Sequence, residues 1–107
     1  MRIVGGVWDG MYIKIIAEIG VYVDGQESTG VAAERIAFRT RTGGAGAYYE
    51  RMTIKNDGKI GIGAPNPTSQ LQVVGLPVYE DNAEATAGGL TAGAFYRTAI
   101  GVLMVAY

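Results

Sequence analysis

Residues 11–23 alternate with a period of two. Met11, Ile13, Ile15, Ala17, Ile19, Val21 and Val23 fall on one face, and Tyr12, Lys14, Ile16, Glu18, Gly20, Tyr22 and Asp24 on the other. That period, carried largely by β-branched residues, predicts a long strand. Gly20 inside it marks a bulge or a close contact. The polar stretch 24–30 reads as a loop. Residues 35–40 alternate again, with Ile36 and Ala37 facing opposite ways, and the glycine-rich 42–47 is a loop tip. A third strand over 48–55 meets Asn56-Asp57-Gly58, a strong hairpin signal, and the chain returns along Lys59-Ile60-Gly61-Ile62.

Pro65 and Pro67 end that strand, because proline cannot donate to a ladder. Leu71-Gln72-Val73-Val74 follows as a short strand closed by Gly75. One helix of about two turns is expected next: Asp81 caps it, Glu84 stands three residues on, and Gly88-Gly89 stop it. A last hairpin pairs 94–98 with 102–107 around Ala99-Ile100-Gly101. The pattern predicts an all-β chain of short strands and hairpins with one short helix near the carboxyl terminus. It divides into a β-rich segment, 1–75, and a small carboxyl-terminal module, 76–107.

Composition narrows the function. Of 107 residues, 49% are hydrophobic and only 18% charged, which excludes a disordered chain. Seventeen are glycine, roughly twice the usual share of about 7%, yet three prolines and no G-X-Y period exclude collagen. The nine basic and ten acidic residues are mixed along the chain, so no basic stripe suggests nucleic acid. With no cysteine and no histidine, thiol catalysis, disulfides and the commonest general base are absent together. No apolar run reaches the ~20 residues of a membrane span, and MRIVGGVWDG lacks the apolar region of a secretory signal. A soluble chain without an export peptide is expected.

Candidate chemistry is sparse. Gly61-Ile62-Gly63 lacks the following helix that a dinucleotide fingerprint requires. Asp9, Glu18, Asp24, Glu27, Glu34, Glu50, Asp57, Glu80, Asp81 and Glu84 supply carboxylates, but a glycosidase needs two at a fixed separation. Glu50 beside Arg51 reads as a structural ion pair, and Asp81 as a helix cap. Asp24 and Asp57 show no calcium-loop spacing. Among the aromatics Trp8, Tyr12, Tyr22, Tyr48 and Tyr49, the last two are the candidates for stacking on a glycan. No cofactor or metal is expected.

Residues 50–75, ERMTIKNDGKIGIGAPNPTSQLQVVG, resemble a motif of bacteriophage tail-fibre and related virion proteins. The shared positions are Glu50, Arg51, Met52, Gly58, Gly61, Ile62, Gly63, Asn66, Pro67 and Leu71; Ile60 and Ala64-Pro65 depart mildly from the usual pattern. Upstream, 22–40 resembles the stretch that precedes this motif in those fibres. Downstream, 77–90 and 95–98 resemble a short terminal module of phage structural proteins. The resemblance implies a structural virion protein: an intertwined homotrimeric tail fibre, or its distal part, aiding attachment to a host-surface glycan. Its implied partners are copies of itself and other virion proteins, with no nucleic acid and no membrane. A capsid-decorating or head-fibre protein is the alternative, and a small polysaccharide-degrading tailspike a second. No self-cleaving chaperone is expected after Tyr107. A trimer also follows from burial, because Tyr12, Ile16 and Tyr22 add apolar area to the polar face of the long strand. Glycines 61 and 63 would let backbones approach near its axis.

Overall fold

The computed structural model describes residues 2–8, 13–23, 34–42 and 47–107, and only the backbone of 2–8, 13–17 and Val23. Tyr12, the loop 24–30 and most of the loop tip 42–47 lie outside the described residues. The chain forms two compact units, Met1–Val74 and Gly75–Tyr107. Among the described residues it is mostly β, with a single short helix.

The first unit holds six strands: β1 (Arg2–Trp8), β2 (Ile13–Val23), β3 (Glu34–Arg41), β4 (Tyr48–Lys55), β5 (Ile60–Ile62) and β6 (Leu71–Val73). They form one sheet in sequence order, antiparallel except for the parallel β5–β6 pair. The strands expected from alternation are present; β1 was not expected. Its register against β2 shifts between Gly5 and Gly6, where Ile16 of β2 is the residue skipped, so the period of two expected over 11–23 is interrupted at Ile16. A second shift lies between Phe38 and Arg39, where Arg51 of β4 is the residue skipped. Gly20 is not a bulge: it pairs regularly with Arg2 and Ala37. It is a close contact instead, because a Cβ there would come within 2.5 Å of the Tyr22 ring.

The β4–β5 hairpin closes as its residues dictate. Gly58 N–H donates to the Lys55 carbonyl at 2.9 Å, and Lys55 N–H to the Lys59 carbonyl at 2.9 Å. Gly58 has φ +83, a left-handed conformation that L side chains resist. Asp57 Oδ1 accepts from Lys59 N–H at 3.0 Å and so fixes the turn from its own side chain. Residues 63–70 then bring the chain back to start β6 beside β5. Ala64 lies over Gly61, whose missing Cβ would overlap the Ala64 carbonyl oxygen. Gly61 is therefore needed by the chain's own crossover, without any second chain.

The second unit contains α1 (Asn82–Ala87), β7 (Phe95–Arg97) and β8 (Leu103–Val105). Asp81 caps the helix, accepting from Glu84 N–H at 2.8 Å, and Gly88 N–H closes it on the Glu84 carbonyl at 2.9 Å. The antiparallel β7–β8 hairpin turns through Gly101, whose N–H donates to the Thr98 carbonyl at 3.0 Å. Ala85, Tyr96 and Ala106 form the buried centre, flanked by Tyr79, Leu90, Ala94 and Met104. Asn82 holds the last residue through both sides of its amide: Nδ2 donates to the Tyr107 carbonyl at 2.8 Å, and Oδ1 accepts from Tyr107 N–H at 2.9 Å.

Candidate interaction surface

The strand registers place residues in rows across the first sheet, and each row lies on one face. Val21, Ile36, Ile54, Ile60 and Leu71 make one row from β2 to β6. Ile19, Phe38, Met52, Ile62 and Val73 make a second on the same face. Both rows are apolar throughout. Five of the ten side chains are exposed: Ile19, Val21, Ile36 and Ile62 are about two-fifths exposed, and Leu71 is 58% exposed. Phe38, Met52, Ile54, Ile60 and Val73 are half-buried.

The opposite face has the reverse character. Its middle row, Gly20, Ala37, Thr53, Gly61 and Gln72, is small or polar. Ala37 and Thr53 are nonetheless buried, at 0% and 1% exposure. Long neighbours close over this row. The Tyr22 ring packs beside Gly20 and lies beneath the guanidiniums of Arg35 at 4.9 Å and Arg39 at 5.3 Å. Arg39 Nη1 donates to the Tyr22 hydroxyl at 3.1 Å and stands 3.6 Å from buried Glu18. Arg35 bonds the Glu50 carboxylate at 2.8 Å. Tyr22 is thus clad by arginines and adds no bare apolar area to this side. The side chain of Ile16 is not described.

The motif residues separate accordingly. Glu50 does not pair with Arg51 but with Arg35 on the neighbouring strand. Arg51, the residue skipped by the register, turns elsewhere: its Nε donates to Thr40 Oγ1 at 2.7 Å and its guanidinium lies over the Tyr49 ring at 5.3 Å. Tyr48 and Tyr49 lie in β4, not in the loop tip, and pair with Arg41 and Thr40. Tyr48 is half-buried against Arg39 and Arg41, whereas Tyr49 is 49% exposed. Met52 belongs to the apolar rows. Gly63 opens the crossover, its N–H donating to the Arg51 carbonyl at 3.0 Å; Pro67 is buried in the crossover. Exposed Asn66 lines an open hollow of about 460 Å³ with Arg35, Tyr48, Tyr49, Glu50, Lys55 and Pro65.

Two ionisable groups are displaced from their ordinary values. The Lys59 backbone N–H, with the Lys59 ammonium 3.1 Å away, holds the Asp57 carboxyl low. Burial pushes the Tyr96 hydroxyl up, and Asp81 and Tyr107 add to the effect electrostatically. No group of three or more acidic side chains gathers as a metal site among the described residues. No helix among them is long and apolar enough to cross a membrane. Compared with known proteins, the chain matches no family model and no curated sequence.

Alternation in β2 indicated the apolar face over 17–23, where the pairing is regular, and the strand pairings extend it. The rows across β3 to β6 could not be assembled from sequence, because they depend on the β3–β4 register shift and a parallel crossover. The arginine–tyrosine cladding was also missed. Its signal was Arg35, Ala37, Arg39 and Arg41 at period two, a basic face around one small residue.

Proposed function

We propose that the protein is a structural component of a bacteriophage virion: a homotrimeric tail fibre, or a distal part of one, that contributes to host-surface attachment. The observation that carries this reading is the pair of apolar rows spanning five strands, half of whose side chains are exposed among the described residues. Soluble chains rarely leave a contiguous face of that size to water, and such a face marks an assembly surface. Association of identical chains buries the same rows on every copy. The likeness of 50–75 to fibre motifs supplies the virion setting.

The protein acts without catalysis and without a cofactor. Glu50 is held by Arg35, Asp57 is spent on its turn and Asp81 on its helix, so these carboxylates already have structural work. A chelator should leave the thermal melt unchanged, and host-envelope polysaccharide should release no reducing sugar. Tyr49 is the side chain of this region best exposed to stack on a glycan, and Tyr49→Ala should weaken binding to host-surface polysaccharide. Immunogold labelling of virions with an antibody to this chain tests the assignment. Gold on the tail is the expected result; gold over the shell would move the protein to the capsid, and unlabelled particles would overturn the virion reading.

A further inference from the structure

The chain contains three Asp-Gly pairs, Asp9-Gly10, Asp24-Gly25 and Asp57-Gly58, and the third lies among the described residues. Such pairs are chemical weak points of a backbone. Glycine has no side chain to shield its nitrogen, which can attack the aspartyl Cγ. The C–N bond that forms closes a five-membered succinimide, and a carboxyl oxygen leaves as water. Water then opens the ring at either carbonyl, returning aspartate or giving isoaspartate, whose main chain runs through the β-carboxyl. Two conditions govern ring closure. The carboxyl must be protonated for its oxygen to leave, and the glycine nitrogen must give up its proton.

The β4–β5 turn opposes both. Asp57 Oδ1 accepts from Lys59 N–H at 3.0 Å, and Oδ2 lies 3.1 Å from the Lys59 ammonium. These contacts favour the ionised carboxylate and hold its pKa low. Gly58 N–H is engaged by the Lys55 carbonyl at 2.9 Å, and the Gly58 carbonyl accepts from Gln70 Nε2 at 3.1 Å. Burial contributes little, because the Asp57 side chain is 49% exposed. Protection therefore rests on hydrogen bonds that exist only while the turn is closed.

We propose that Asp57 is a modification site gated by the β4–β5 hairpin: it converts to isoaspartate when the two strands separate, and the closed turn suppresses the conversion. The product reinforces the opening. Isoaspartate adds one atom to the main chain between 57 and 58 and removes the β-carboxylate that accepts from Lys59. The turn that would re-form the hairpin is then lost.

Peptide mapping of the full chain, with fragmentation that distinguishes isoaspartate from aspartate, tests this over weeks at neutral pH. In guanidinium chloride all three pairs should convert, which gives the unhindered rate. In buffer Asp57 should convert about tenfold or more slowly, in proportion to the fraction of time its hairpin is open. Gly61→Ala, which loosens the first unit and leaves the Asp57-Gly58 pair untouched, should raise the rate in buffer and not in denaturant. Equal rates for Asp57 in buffer and denaturant would overturn the proposal, as would Asp57 remaining unconverted in denaturant. A buffer rate unmoved by Gly61→Ala, in a chain whose melting temperature has fallen, would do the same.

Discussion

Gly58 and Tyr96 are residues whose roles follow from one physical fact each. At φ +83 Gly58 occupies a backbone region closed to β-branched side chains, so Gly58→Val should cost about 1–3 kcal/mol, while Gly58→Asn should cost much less. Thermal melts of the two variants check this, and equal melts would contradict it. Tyr96 is fully buried, yet its hydroxyl has no hydrogen-bond partner. Tyr96→Phe removes that unmet polar group and should leave the melting temperature unchanged or raise it. The same burial raises the hydroxyl's pKa in the folded state. Stability should hold up to the unfolded tyrosine value near 10 and fall above it, as folding increasingly opposes ionisation. In Tyr96→Phe that alkaline loss should shrink. Asp57 works in the opposite sense: its lowered pKa gives stability present above the ordinary carboxylate range and lost as pH falls through it. Asp57→Asn should flatten the acid limb of a pH–melt curve.

Elements differ in how much of themselves they wrote into the chain. The helix was legible because Asp81, Glu84 and the glycine pair are local signals, and Asp81→Ala should cost about 1 kcal/mol, read from the melt of the second unit. β4 and its turn were equally plain, since Asn56-Asp57-Gly58 admits few other conformations. β1 was hidden: Gly5 and Gly6 sit at its register shift and erase the alternation that marks a strand. The parallel β5–β6 pair was hidden for a different reason, because residues 63–70 return the chain without a helix and only Gly61 beneath Ala64 records the close crossing. Gly61→Ala should therefore destabilise the first unit by about 1–3 kcal/mol through overpacking. The ion pairs were the least legible: neighbours along a strand diverge, so Glu50 finds Arg35 across the sheet while Arg51 finds Tyr49.

For the whole molecule, the question is what covers the two apolar rows of the six-stranded sheet. Alternation in β2 is enough to predict that one face is apolar, yet it says nothing of where that face lies. Among the described residues the clad polar face buries Ala37 and Thr53, whereas the apolar face leaves five of its ten row side chains exposed. A row of five apolar residues repeated twice is a large area to leave to water at about 25 cal/mol per Å². Stability should then depend on concentration, as for any fold that binds its own copies. Sedimentation equilibrium of the full chain at micromolar concentration tests this most directly. The account predicts a single species at three times the monomer mass, shifted toward monomer by Ile36→Asp/Ile62→Asp; a folded monomer in the unmodified chain would contradict it.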